Sequence, residues 1–130
     1  MQTALAESLL DGQVRLTEHA GYLTVNIVRN SENLTQHRRV RNLIEAAIET
    51  TGRKRILLRS THGQRAPDEV REAIFKWLTT SPVLERVALI VPSEPLASEL
   101  NMKGMISRRC MRAFTGLEQA EQWLLSEQGS

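Results

Sequence analysis

Apolar and polar residues alternate near the start of the chain, the pattern of half-buried β-strands. One such run begins at Val14 and a second covers 23–27, with Ala20-Gly21 between them. A small residue followed by glycine suits a tight turn between antiparallel strands. The pattern therefore predicts a β-hairpin.

A helical period follows the hairpin. Five apolar residues repeat at the spacing of one helix face, in a segment that begins near Thr35 and stops at Gly52. They are Val40, Leu43, Ile44, Ala47 and Ile48. The sequence thus predicts a first helix with one buried stripe.

Three more strand-like runs alternate with helical segments. The runs cover 55–59, 87–91 and 111–114. Pro67 suits the first position of a second helix, and a third helix extends to about Ser107. Before the fourth helix, Thr115 and Glu118 have the spacing of a capping box.

The fourth helix is expected to turn four apolar residues towards the core, namely Leu117, Ala120, Trp123 and Leu124. The whole pattern predicts one α/β domain with a core at about 13–126. Its mixed sheet has about five strands, an N-terminal antiparallel hairpin followed by parallel βα units, and about four helices flank it.

Composition places the chain among ordinary globular proteins, since 41% of its 130 residues are hydrophobic and 25% are charged. The first ten residues lack a basic leader, and no apolar run approaches the roughly 20 residues that span a bilayer. We therefore expect a cytoplasmic protein without a membrane span. Cys110 is the only cysteine, so an internal disulfide is impossible.

Arginines form three groups, which are Arg38, Arg39 and Arg41, then Arg53 and Arg55 around Lys54, then Arg108, Arg109 and Arg112. Such groups can bind phosphate. The chain also contains 15 acidic residues, and its net charge is only +2. We interpret the groups as solvated faces and expect no nucleic-acid binding.

The order of elements resembles the STAS-like domain of bacterial anti-sigma-factor antagonists over nearly the whole chain. The segments that carry the resemblance are 54–58, 85–91, 111–114 and 118–124. In that family a serine after the central strand, usually beside an aspartate, is phosphorylated to switch partner binding. The resemblance implies Ser60 or Thr61 as this site, although Arg59 stands where the acidic neighbour would be.

The same loop is also the best candidate site when the family resemblance is set aside. It contains Arg59, Ser60, Thr61, His62 and Arg65, and it leaves a central strand for a helix N-terminus. Open α/β sheets bind ligands at such strand ends, and helix N-termini attract anions. The alternative is a polar surface loop in which Ser60 and Thr61 are ordinary turn residues.

Other chemistry is less well supported. The histidines, His19, His37 and His62, lack the spacing of a metal site, and Cys110 suits a core position. Met102, Met105, Ile106 and Met111 could line a soft pocket or simply fill the core. We expect no catalytic residues, no metal and no cofactor.

These observations favour a non-enzymatic regulatory or protein-interaction module of bacterial STAS-like type, switched by phosphorylation or by an anion at 59–65. We expect a protein partner and a monomer or homodimer. The alternative is a small-ligand binder for an anion or a lipid. A third class is an enzyme with an unrecognised site.

Overall fold

The computed structural model describes residues 4–10, 12–60, 66–107 and 111–126, with the backbone alone for 4–10 and 103–107. Within these residues six strands lie side by side in chain order in one sheet. They are β1 (Ala4–Leu10), β2 (Val14–His19), β3 (Tyr22–Ile27), β4 (Arg55–Ser60), β5 (Arg86–Ile90) and β6 (Met111–Phe114).

The sheet is mixed, as predicted. β1, β2 and β3 pair antiparallel, whereas β3 to β6 pair parallel, with helices making the connections. The predicted α/β architecture is confirmed, but β1 was not predicted and lies before the expected start of the core. Five of its seven residues are alanine or leucine, which favour helices in isolation. Pairing with β2 overrides that local preference.

Among the described residues four helices cover the sheet, and each was predicted. They are α1 (Leu34–Thr51), α2 (Asp68–Thr80), α3 (Glu94–Ser107) and α4 (Leu117–Leu125). α1 ends at Gly52, whose φ of 74° is the left-handed conformation that glycine adopts without strain. Pro67 lies one residue before α2 rather than inside it.

The two faces of the sheet have separate apolar cores, because successive residues of a strand point to opposite sides. On one face, strand residues such as Val25 and Leu58 pack with α1, α2 and α3. On the other face, a smaller cluster joins the strands to α4, through Tyr22, Leu57, Ala88, Ala120 and Leu124. Three helices thus cover one face and one helix covers part of the other.

The β2–β3 turn brings the hairpin against α4. Gly21 has a φ of 103°, and a Cβ there would lie 2.9 Å from Leu125 Cδ2. The positive φ favours glycine, whereas the Leu125 side chain is half-exposed and could move away from a Cβ. Nearby, the Tyr22 hydroxyl donates to Glu121 Oε2, and burial together with that carboxylate raises the pKa of Tyr22.

The predicted capping box of α4 is wrong. The N-cap residue is Gly116, which makes no side-chain cap, and Thr115 Oγ1 instead donates to Glu94 Oε2 at 2.9 Å. Because the Thr115 hydroxyl bonds to Glu94 in the first turn of α3, it does not cap α4. Leu117, predicted to face the core, is 45% exposed, whereas Ala120 and Leu124 are fully buried. Trp123 packs at the edge of the smaller core.

In the described part of the chain, no helix combines the length and the apolar character needed to cross a membrane.

Candidate functional site

The predicted loop begins at the end of β4, where the structure describes Arg59 and Ser60. Ser60 Oγ donates to the Ile27 carbonyl at 3.3 Å and so ties β4 to β3. Consecutive strand residues point to opposite faces, so these two side chains do not converge on one volume. Thr61, His62 and Arg65 lie outside the described residues.

Arg59 is half-buried, and it lies beside Asn26 in the β3–β4 register. Its Nε atom and the Asn26 Oδ1 atom are both buried without a hydrogen-bond partner. This pair makes the start of the loop polar on the α4 side of the sheet. A site for phosphate or a partner at 59–65 stays a prediction.

A better-defined site lies at the same end of the sheet, beneath α1 and α2. A small cavity of about 40 Å³ occurs where β3 and β4 end. Its walls come from the sheet, the β3–α1 segment and both helices. They are Val14, Val25, Ile27, Arg29, Asn30, Ser31, His37, Val40, Arg41, Ile44, Leu58, Ile74 and Trp77. Most of these side chains are apolar.

A second, larger cavity of about 450 Å³ lies between the outer sides of the two helices. It is lined by Leu34, His37, Arg38, Arg41, Glu45, Ala73, Lys76, Trp77, Thr80, Ser81 and Pro82. Three residues, His37, Arg41 and Trp77, line both cavities. We call the smaller cavity the inner chamber, the larger one the basic groove, and the two together the α1–α2 cleft.

The position of His37 follows from how α1 begins. Asn33 caps the helix by accepting from the Gln36 backbone N–H at 2.9 Å, and Gln36 Oε1 accepts from the Glu32 N–H at 2.9 Å. This fixes the first turn. His37 then lies three residues before Val40, on the stripe that α1 buries.

One nitrogen of the His37 imidazole, Nε2, is buried without a polar partner. The residue is only 7% exposed, and its Nε2 atom makes no hydrogen bond. Its ring contacts Trp77 edge-on, with centroids 6.4 Å apart. Burial lowers the pKa of His37 below its ordinary value of 6.5, and the positive charges of Arg41 and Arg38 lower it further. The neutral form of the imidazole therefore predominates at pH 7.

Cationic side chains surround His37 and outnumber the acids. Arg29, Arg38, Arg41 and Lys76 line the two cavities, and Glu45 is the one acid among the described lining residues. Glu45 Oε2 already accepts from Trp77 Nε1 at 2.7 Å and from Ser81 Oγ at 2.9 Å. The cleft thus has a positive potential that its own carboxylate offsets only in part.

Arg41 resembles His37 in having an unsatisfied buried atom. The side chain is half-buried, and its Nε has no hydrogen-bond partner. Buried polar atoms in proteins nearly always have partners, so two such atoms on one wall require an explanation. A bound acceptor would satisfy both.

The three arginine groups are only partly the predicted solvated faces. In the third group Arg112 is exposed, and Arg108 and Arg109 lie outside the described residues. Arg53 Nε donates to the His19 carbonyl at 2.9 Å, and Arg55 Nη1 donates to the Leu124 carbonyl at 2.6 Å. These two arginines therefore tie parts of the fold together. In the first group Arg38 and Arg39 are exposed, as expected, whereas Arg41 faces the cleft.

Where the structure describes them, the other sequence candidates are not brought together. His19 Nε2 lies 3.0 Å from Thr24 Oγ1 in the hairpin, away from α1, and His62 and Cys110 are not described. The described residues contain no group of three potential metal ligands. Met102 is 65% exposed and Met111 is buried in the main core, so these two do not share a pocket.

Comparisons of the chain with family models, curated proteins and solved structures find no match. The resemblance to STAS-like domains is neither supported nor excluded by them. The sequence analysis treated His37 only as an isolated histidine. Extending the α1 stripe back by three residues from Val40 would have placed His37 on the buried face.

Proposed function

We propose that the protein is a non-enzymatic regulatory module that binds a small anionic ligand in the α1–α2 cleft. The observation that carries the proposal is His37, a nearly fully buried imidazole with no hydrogen-bond partner for Nε2 on the wall of a cavity. Leaving a buried polar group unpaired costs about 1–3 kcal/mol. A ligand that accepts or donates a hydrogen bond there would recover that free energy on binding.

The charge of the cleft favours an anion. Arg38, Arg41 and Lys76 line the basic groove, and Glu45 is engaged by two donors from α2 and the residue after it. A bound cation would meet three like charges. A bound anion would receive charge-assisted hydrogen bonds, which are stronger than neutral ones.

The Ser31 and Ser81 hydroxyls in the cleft are engaged by acceptors of the protein. Ser81 Oγ donates to Glu45, and Ser31 Oγ donates to Gln13 Oε1 at 3.1 Å. The Glu45 carboxylate also accepts from Trp77 Nε1 at 2.7 Å, and neither hydroxyl hydrogen bond involves His37. We therefore assign the cleft, within this proposal, to recognition of a ligand rather than to covalent catalysis.

Regulation would follow from the location of the cleft. A ligand there contacts both α1 and α2, which are also joined by the Glu45–Trp77 hydrogen bond and the His37–Trp77 ring contact. Binding to the folded state alone stabilises it and fixes the relative position of the two helices. Partners that contact these helices would then respond to ligand occupancy.

The proposal is tested by thermal unfolding with a panel of anions at 10 mM, namely acetate, pentanoate, benzoate and inorganic phosphate. We expect at least one to raise the Tm of the wild-type protein and to have no effect on His37→Leu. Arg15→Gln is the matched control, because Arg15 is an exposed arginine on β2, outside the cleft lining. Equal responses in wild type and His37→Leu, or no response to any anion, would contradict the proposal.

A further inference from the structure

We infer that the ligand of the α1–α2 cleft is a short-chain monocarboxylate, with its alkyl group in the inner chamber and its carboxylate between His37 and Arg41. This inference rests on the proposed function and specifies its ligand. It follows from the size of the chamber, from the chemistry of its walls, and from the unpaired nitrogens of His37 and Arg41, two residues that line both cavities.

The size of the inner chamber limits the apolar part of the ligand. A cavity needs a volume of about 10–15 Å³ to hold one water molecule. The inner chamber, at about 40 Å³, therefore holds about three groups of that size. The walls around that space include Val25, Ile44, Leu58 and Ile74. Three or four carbon atoms would fit there, and a long acyl chain would not.

The junction of the two cavities selects the head group. His37 and Arg41 line both the chamber and the groove, and each has a buried nitrogen without a partner. A neutral imidazole can donate one hydrogen bond from Nε2, and the arginine Nε–H can donate another. A carboxylate has two oxygen atoms, one for each donor, so in our proposal one planar monoanion pairs with both nitrogens.

The basic groove accounts for the remaining charge. Arg38 and Lys76 are exposed there and make no ion pair with a described residue. They would attract the carboxylate from solvent but remain hydrated when it is bound. An alcohol of the same length would fit the chamber but would lack this attraction. An alkylammonium ion would be repelled.

The experiment measures dissociation constants for the 130-residue chain by NMR titration with acetate, propanoate, butanoate, pentanoate, hexanoate and octanoate. Each methylene that enters an apolar chamber should tighten binding about fourfold. We expect this gain to continue through butanoate or pentanoate and then to stop or reverse. Butanol and butylammonium should bind at least about tenfold more weakly than butanoate.

Two variants test where the alkyl group and the carboxylate of the ligand bind. Ile74→Phe fills the inner chamber, so it should remove the dependence on chain length while acetate still binds weakly. Arg41→Gln should weaken every carboxylate to a similar extent and leave the chain-length profile unchanged. The wild-type profile tests the inference by itself if Ile74→Phe does not fold.

The outcomes separate this inference from the proposed function. If phosphate or octanoate binds best and His37→Leu abolishes that binding, the cleft is an anion site but the short-chain carboxylate is wrong. If no anion in either set binds at the cleft, both are wrong. A profile that peaks at butanoate or pentanoate and depends on His37 supports both.

Discussion

Arg86 and His37 are two buried basic side chains on opposite faces of one sheet, and their surroundings differ. Arg86 is 3% exposed, and its Nη1 donates to the Trp123 and Ser126 carbonyls at 2.7 Å each. His37 is 7% exposed, and its Nε2 has no partner. A satisfied buried cation holds structure together, whereas an unsatisfied buried imidazole beside a cavity is suited to a ligand.

The C-terminal end of α4 and the start of α1 also differ in how their arginines interact with the helix dipole. Arg55 and Arg86 donate to carbonyls at the C-terminal end of α4, where the helix dipole favours positive charge. α1 has no acidic residue in its first turn, and Arg38 and Arg39 follow directly after that turn. The charges around α4 therefore stabilise the fold, and those near the start of α1 do not.

The largest effect is expected from Arg86→Met. Removing this guanidinium leaves buried carbonyls at the end of α4 unpaired, which should lower the free energy of unfolding by about 3 kcal/mol in a urea titration. Arg112→Met is the matched control, because Arg112 also lies 5.6 Å from the Trp123 ring but is exposed. The control should cost under about 1 kcal/mol. A loss of stability in Arg86→Met as small as that of the control would mean that Arg86 is not structural.

A smaller loss is expected from Tyr22→Phe. The hydroxyl donates to the Glu121 carboxylate and joins β3 to α4, so its removal should cost about 1.5 kcal/mol. A double-mutant cycle with Glu121→Gln should show that the two changes are not additive. Additive losses would show that this contact contributes little.

His37→Leu should raise the free energy of unfolding rather than lower it. Leucine removes the unpaired nitrogen and fills a similar volume among apolar neighbours, so we expect the free energy of unfolding to rise by about 1 kcal/mol. The same change should abolish anion binding. A loss of more than about 1 kcal/mol would place His37 with Arg86 as a structural residue.

The smallest effect is expected from pH. His37 has a lowered pKa in the folded protein, so the unfolded chain binds its proton more readily. The contribution of neutral His37 to the free energy of unfolding is therefore fully present above pH 6.5. It is lost as the pH falls from 6.5 through the lower pKa of the folded state. Subtracting the profile of His37→Leu removes the effect of the carboxylates. Identical profiles for the two proteins would contradict this assignment.

Most of the fold was predictable because its elements have strong periodicity. Strands such as β5 and β6 and the stripe of α1 are visible in the sequence alone. β1 was missed because its composition favours a helix, and pairing with β2 decides its structure. The α4 cap was wrong because Thr115 bonds to Glu94, a residue 21 positions away.

The cleft was harder to predict than the fold. The stripe that contains Val40 could have placed His37 on the buried face of α1. No sequence pattern shows that Trp77 from α2 packs against its ring, or that Glu45 is already engaged by Trp77 and Ser81. The cavity depends on how two helices pack over the sheet, and a single sequence does not encode that packing in any local period.

The most direct test of the account is the imidazole ¹⁵N spectrum of the protein, recorded with and without pentanoate. His19 is an internal control, since its Nε2 lies 3.0 Å from Thr24 Oγ1, whereas His37 Nε2 has no partner. We predict that saturating pentanoate shifts the His37 Nε2 resonance and raises the pKa of His37, with His19 unchanged. An unchanged His37 resonance at saturation, or equal shifts of both histidines, would contradict the account.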